Sequence, residues 1–292
     1  QEINKKSSDK INEIFLTQDI NPLTGNYTLT NGKTTTIKGE NHRIFIKGSN
    51  AGITVTGEET VLNLGAKGYD KKLTIEGDTE VAFITVSGRA TANMYEHVTL
   101  QNRQQVDQAC VVLEENSVFN MHGGVIQNCK GKYGGVSLKN GSRFIMEGGT
   151  ISGCSANEGG GLYATNQSTI TISGGTISGC KAPSSDKGNG SGLYANNSTV
   201  TISGGTISGC KGRWGGGLYA ENSSTIEISG GTISGCTVGA GGGLFVDSST
   251  IRISGGTISE CTTSDTGNGG GLYAKNSTIK ITGGRIENNK AA

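Results

Sequence analysis

Short runs in which apolar and polar residues alternate recur along the whole chain, and each is closed by glycine, asparagine or serine. In Ile170-Thr-Ile172, a period of two puts both isoleucines on one face and Thr171 on the other, as a β-strand requires. The runs also repeat at long range. A Gly-Gly pair followed by Thr-Ile-Ser-Gly-Cys stands at Gly148–Cys154, Gly174–Cys180, Gly204–Cys210 and Gly230–Cys236, and Glu260 replaces the last glycine in Gly255–Cys261. Degenerate copies flank the array at Gly123–Cys129 and Gly283–Asn289, so the cysteine position recurs at intervals of 25, 26, 30, 26 and 25 residues, then 28 to Asn289. Between these marks lies a second phrase, Gly-Leu-Tyr-Ala, at Gly161, Gly192, Gly217 and Gly271, with Gly243-Leu-Phe-Val as its variant.

Each unit therefore holds three short β-segments in about 26 residues, less than a four-stranded propeller blade needs. The pattern predicts an all-β fold: a single right-handed parallel β-helix with one unit per coil and equivalent residues stacked at ~4.8 Å. The isoleucines, with Leu162, Ala164 and their equivalents, would form the interior. Burying one isoleucine contributes roughly 1.5–3 kcal/mol, against roughly 0.5–1 kcal/mol lost per strand glycine. Residues 26–109 carry weaker versions of the same runs, such as Ile44-Phe-Ile46 and Ile84-Thr-Val86, and read as irregular coils continuous with regular coils over 110–292. Residues 1–25 read as an N-terminal cap. Within it Ser7 or Ser8 can cap a helix, and Ile11, Ile14 and Phe15 fall at helical spacing, which predicts a short helix over residues 7–16.

Composition narrows the class. Fifty glycines with two prolines and no three-residue period exclude collagen, and a net charge of +1 disfavours a polyelectrolyte. That balance gives no reason to expect nucleic acid as a partner, and no apolar run is long enough to insert into a membrane as a helix. The Gly-Gly repeats ending in Ile286-Glu-Asn-Asn289 resemble those of chlamydial polymorphic outer-membrane proteins and of other bacterial right-handed β-helix surface proteins, over about residues 83–292. The resemblance implies a solenoid at the cell surface, often adhesive. This chain usually places cysteine where that family has asparagine, and anchoring through a C-terminal membrane barrel is not expected of it.

Candidate chemistry follows from the stacking. Cys129, Cys154, Cys180, Cys210, Cys236 and Cys261 should form one ladder with Cys110 outside it. A line of thiols cannot converge tetrahedrally on a metal, so no metal or cofactor is expected. They read as buried free thiols, with pairing between rungs as the alternative. Strict alternation from Ile177 would turn Cys180 outward, so an inward ladder needs a bend at Gly179. Tyr163, Tyr194, Tyr219, Phe245 and Tyr273 should form an outward aromatic stripe, either a platform for sugar rings or a cross-strand stack. Outward Thr-x-Ser pairs such as Thr206/Ser208 give a flat hydroxyl face, which suits a solvated sheet and, as a remoter reading, ice. The corner before each Gly-Leu-Tyr-Ala phrase varies most: Lys132-Tyr133, Glu158, Ser185-Asp-Lys-Gly-Asn-Gly190, Arg213-Trp214 and Ser264-Asp-Thr-Gly-Asn-Gly269. Variable loops on a rigid scaffold are where recognition sits. Lys132, Tyr133, Arg213, Trp214, Asp186 and Asp265 are thus candidate contact residues, Trp214 foremost. Asp186 and Asp265 each give their loop a single carboxylate, too few for Ca²⁺. The Asn-x-Ser/Thr triplets at Asn197, Asn222 and Asn276 read as turns rather than glycan acceptors.

Parallel β-helices also include polysaccharide lyases and hydrolases, which need converging carboxylates or a metal cluster. His42, His97 and His122 lie far apart with no evident carboxylate partner, Glu227, Arg252 and Lys280 read as a charge ladder, and no catalytic residue is assigned. The expectation is a non-catalytic, secreted or cell-surface β-solenoid, adhesin-like or structural, binding a host or surface glycan or protein. A polysaccharide-binding or polysaccharide-cleaving protein is the alternative. The final unit stops after its Gly-Gly strand, which reads either as a cut from a longer protein or as an open last coil that self-associates end to end into a fibre.

Overall fold

The computed structural model describes residues 4–8, 11–104, 108–183, 188–264 and 267–291. Among these residues the chain is a parallel β-solenoid whose three faces are sheets of ten, twelve and eleven strands. One coil shows the plan: Leu193–Asn196 lies in the first sheet, Thr199–Ile202 in the second and Thr206–Ser208 in the third. In the regular coils each strand pairs with its counterparts one coil away without a register slip, Ile207 between Ile177 and Ile233, Leu193 between Leu162 and Leu218; the one shift lies between Ile20 and Leu23 in the first coil. A slip of one residue would expose every inward side chain, so the identical spelling of neighbouring units is what fixes the stack. The inward positions of all three sheets form one core that runs the length of the molecule.

The corners are built as regularly as the faces. Between the first and second sheets a buried serine bonds its own turn: Ser198 Oγ donates to Asn196 O (2.9 Å) and Ser224 Oγ to Glu221 O (2.8 Å), while Ser198 N donates to Ser224 Oγ (3.2 Å). Asn197, Asn222 and Asn276 take φ of 44°, 55° and 49° beside these serines, the left-handed turn geometry asparagine tolerates. At the next corner the first glycine of each Gly-Gly pair touches the coil before it. A Cβ on Gly204 would stand 2.2 Å from Ser173 O. Gly209 differs, with φ of +61° and no atom closer than 4.0 Å to its would-be Cβ. The bend required before each cysteine is made there and at Gly179 (φ +59°), and it turns Cys180 and Cys210 fully inward.

All seven cysteines are free and buried. The thiols of Cys180, Cys210 and Cys236 donate to the carbonyls of Ser178, Ser208 and Ser234 at 3.4–3.5 Å. In the last coil Asn289 takes the same place, donating from Nδ2 to Ile258 O (2.8 Å) and accepting from Cys261 N (2.9 Å). Cys110 lies outside the ladder's own column, as expected, but beside it. Val111 pairs with Val136, so Cys110 falls at the register position of Gly135 and Gly161, where an added Cβ lies against the ladder sulfurs of Cys154 and Cys180. Its thiol meets that of Cys129. Hydrogen bonds between neighbouring thiols, together with burial, push Cys129 and Cys180 well up and Cys236 to about 12.

Two expectations need correction. The helix over residues 7–16 is absent. Asn4–Ser8 and Ile11–Phe15 are strands, the first antiparallel to the second and the second parallel to Thr34–Lys38. The exposed ladder of Thr34–Lys38 offers five residues of backbone pairing that a surface helix forgoes, and tertiary pairing overrides local propensity. Ile14 then packs on the core and Leu16 is buried, a period of two inside what read as helical spacing. The coil also gains a fourth element from residue 181 onward: Lys181–Ala182, Lys211–Gly212, Thr237–Val238 and Thr262–Thr263 pair into a small sheet.

Where the irregular coils meet the regular ones, Arg103 fills the position that Cys129 holds one coil later. It is completely buried, and its guanidinium donates to the carbonyls of Val81 (3.0 Å), Glu80 (2.9 Å), Gln108 (2.6 Å) and Lys130 (3.1 Å). On the last described coil Ile279, Ile281 and Ile286 are exposed, although Ile251, Ile253 and Ile258, their partners one coil earlier, are buried. Each coil is the lid of its neighbour.

Candidate functional site

Beyond each ladder cysteine the chain emerges at the corner that leads to the first sheet. The residue after the cysteine points outward and the next one inward: Lys181 and Lys211 are exposed, Ala182 is buried. Lys181 and Lys211 are directly paired, and the column extends through Ser155 to Lys130 on one side and through Thr237 and Thr262 to Lys290 on the other. Gly212 lets the chain lie close here, since a Cβ would stand 2.2 Å from Ser191 Oγ. Arg213 N and Trp214 N both donate to Gly188 O, which fixes the backbone of the corner.

Trp214 is half-buried. Its ring meets Phe245 edge-on at 5.4 Å and 74°, and the Arg213 guanidinium lies over it at 5.3 Å. Tyr133 belongs to the same column, linked to Trp214 through Glu158 and Asn189. Lys132 is therefore the counterpart of Arg213 three coils away, and it too stands over its aromatic neighbour, 5.5 Å from the Tyr133 ring. The structure thus brings Lys132-Tyr133 and Arg213-Trp214 onto one edge. Asp186 and Asp265 lie outside the described residues.

The aromatic stripe is a continuous stack. Ring centroids are 4.1 Å apart for Tyr133–Tyr163, 5.0 Å for Tyr163–Tyr194, 5.7 Å for Tyr194–Tyr219 and 4.9 Å for both Tyr219–Phe245 and Phe245–Tyr273. It points away from the main core, yet Tyr194, Tyr219 and Phe245 are only 3–7% exposed, because Trp214 and Ala240 close over them as a second cluster. Glu221 ties the phenols together. Tyr194 Oη donates to Glu221 Oε1, Tyr219 Oη donates to Oε2 (3.1 Å), and Asn196 Nδ2 reaches Oε1 at 2.8 Å. Burial first, and then the Glu221 carboxylate, push the Tyr194 and Tyr219 phenols well above the ordinary tyrosine range. The faces between rungs are occupied by neighbouring rings, which is the arrangement of a structural stack.

A second cluster lies at the far edge of the second sheet. His122 has a carboxylate partner after all: its Nδ1 is 2.7 Å from Glu147 Oε2, one coil on, and its ring stacks on Tyr95 at 4.9 Å. Met121 pairs with Met146, so the residues that follow them are brought together by register, a contact that separation in sequence hides. Glu76 is engaged by Arg43 (3.2 Å) and Gln101 (2.8 Å), and Glu227, Arg252 and Lys280 stand in one ladder. Among the described residues no group of three or more His, Cys, Asp or Glu side chains is placed to hold a metal ion.

Sequence reasoning found Lys132, Tyr133, Arg213 and Trp214 but missed the lysine column. The signal was present, since the residue after each cysteine position reads Lys130, Ser155, Lys181, Lys211, Thr237, Thr262 and, after Asn289, Lys290. The family model described as right-handed beta helix region matches residues 107–286. No curated protein and no solved structure matches the chain.

Proposed function

The chain belongs to the right-handed β-helix family, and from that premise we propose that it is a non-catalytic recognition solenoid of the cell exterior, adhesin-like, which binds a surface glycan or protein at the corner around Arg213 and Trp214. The fold is shared by lyases and by proteins without catalysis, so the argument rests on the site. One observation carries it. In the regular coils the inward residues of the three faces repeat almost unchanged from coil to coil, while the largest change in length, together with changes in charge and aromatic content, falls at this corner. Conserving the stack while varying one edge is how a rigid scaffold presents a binding surface.

The direct test is an array of glycans and surface proteins probed with the intact chain and with Trp214→Ala and Arg213→Ala. Binding that weakens in both variants, with far-ultraviolet spectra unchanged, supports the reading. No binding, or binding indifferent to both, removes it. Polysaccharide cleavage is a second reading, favoured by the His122–Glu147 pair, in which a carboxylate orients an imidazole. Incubation with acidic and neutral polysaccharides decides it. Release of unsaturated or reducing-end products that is lost in His122→Ala would establish cleavage, and no release sets it aside.

A further inference from the structure

The six cysteines from Cys129 to Cys261 stand directly over one another. Each lies between two positions that are paired with the next coil: Ser178 with Ser208 before, and Lys181 with Lys211 after, in the case of Cys180 and Cys210. The same frame holds the other four gaps. All six are at most 1% exposed, none is in a disulfide, and each meets the thiols of its neighbours. Hydrogen bonding does not ask for thiols here. The amide of Asn289 fits the same place and makes bonds of 2.8 and 2.9 Å, whereas Cys210 and Cys236 make only weak ones of 3.4 and 3.5 Å. Their acceptors already hold a backbone donor, Ser208 O from Gly179 N and Ser234 O from Gly209 N, both at 3.0 Å. These thiols can therefore give up a proton without orphaning a carbonyl.

We infer that the ladder is a binding site for a soft, two-coordinate cation of the copper(I) class, with one ion between each adjacent pair of sulfurs. Thiolate is the ligand that such ions select. A straight column excludes a tetrahedral ion, but a two-coordinate ion needs only two sulfurs facing each other. Two metal–sulfur bonds of ~2.3 Å laid end to end span ~4.6 Å, against a rung spacing of ~4.8 Å. The ion enters the line of contact and needs no separate cavity. The column also has slack on one flank, where Gly161 and Gly192 present no side chain to the sulfurs of Cys180 and Cys210. Each ion that enters displaces one thiol proton and forms two bonds to sulfur, and no electron moves. Six rungs have five gaps. Five ions with five displaced protons leave one terminal thiol protonated and the whole row uncharged, as an apolar core requires. Because the thiols are buried, ions load as coils fold or open. The site lies inside the solenoid and does not depend on what the Arg213–Trp214 corner binds.

The experiment titrates the intact chain anaerobically with copper(I), supplied as its acetonitrile complex, and washes it against a copper(I) chelator. Ions retained per folded chain are counted, and the ultraviolet thiolate-to-copper absorption is followed. Wild type and Cys110→Ala should each retain five, because Cys110 stands beside the column. Cys261→Ala removes one gap and should retain four; Cys180→Ala/Cys210→Ala removes three and should retain two. Bound copper should raise the urea midpoint, and zinc(II), which takes four ligands, should be neither retained nor stabilising. Fewer than five ions in the wild type, equal counts in Cys261→Ala and Cys110→Ala, or equal retention of zinc would overturn the inference. So would a midpoint lowered by copper, which marks capture by the unfolded chain. If the double variant fails to fold, the counts for wild type, Cys110→Ala and Cys261→Ala decide the matter. None of these outcomes bears on recognition at the corner, which is read by the Trp214 and Arg213 variants.

Discussion

Two glycines five residues apart, both replaced by alanine, should behave very differently. Gly204→Ala brings a methyl to 2.2 Å from Ser173 O and 3.0 Å from its carbonyl carbon. Those are backbone atoms of the preceding coil and cannot swing aside, so reaching ordinary contact requires separating two coils by about 1 Å. That separation stretches the ladder hydrogen bonds on either side and loosens the isoleucines beneath, and the expected cost is at least about 3 kcal/mol. Gly209→Ala meets nothing within van der Waals contact except Gly179 N at 4.0 Å. Its cost is the left-handed backbone, about 1–2 kcal/mol, offset by about 0.4–1 kcal/mol from a stiffer unfolded chain, which leaves about 1 kcal/mol. The chain already makes this replacement, since Asn128, Glu260 and Asn288 occupy equivalent positions with φ of 53–55°. The assay is urea unfolding followed by far-ultraviolet circular dichroism and by Trp214 fluorescence, because a solenoid can unfold in sections. Equal destabilisation by the two alanines, or a near-neutral Gly204→Ala, would refute the reasoning that inter-coil contact rather than φ governs the first glycine.

Three further outcomes are expected. Arg103→Met should destabilise by about 3 kcal/mol or more in the same unfolding assay, because four carbonyls lose their donor; Arg103→Lys should restore only part, an ammonium being unable to reach all four. Burial raises the phenols of Tyr163, Tyr194 and Tyr219 above their unfolded value near 10. Above that pH the unfolded chain binds fewer protons than the folded one, so stability is full below about pH 10 and falls as pH rises beyond it. Ultraviolet titration should therefore show fewer than the eight tyrosines ionising before the fold is lost, and eight ionising together near pH 10 in the folded state would contradict this. Ellman's reagent should leave the native thiols nearly untouched and find all seven in guanidinium; rapid labelling of several in the native state would show that the ladder opens.

The stack was legible because its units are spelled alike: the isoleucine and leucine ladders, and the inward cysteine turned by Gly179, follow from period and φ alone. The N-terminal strands were not, because Ile11, Ile14 and Phe15 satisfy helical spacing while Ile14 and Leu16 satisfy a strand, and only the waiting edge of Thr34–Lys38 decides. Arg103 escaped notice because one charged residue in a polar stretch gives no hint that four carbonyls converge on it. The Tyr194 and Tyr219 rings read correctly as outward from the core, but their burial depends on how Trp214 and Ala240 fold over, which no periodicity encodes. His122 and Glu147 are neighbours by register between coils, as are Lys181 and Lys211. Such pairs can be read only by aligning the units first.

The longest interval, 30 residues from Cys180 to Cys210, leaves the ladders on both sides undisturbed: Lys181 still faces Lys211 and Leu193 still faces Leu218. The sequence places the surplus between Ala182 and Leu193, five residues more than the same interval one coil on, so the scaffold tolerates added length there. Foreign peptides grafted between Pro183 and Gly188 would be displayed at a known height on a stiff ruler, and grafts on successive turns would stand at fixed multiples of the strand spacing, a geometry suited to arranging epitopes or catalysts in a row.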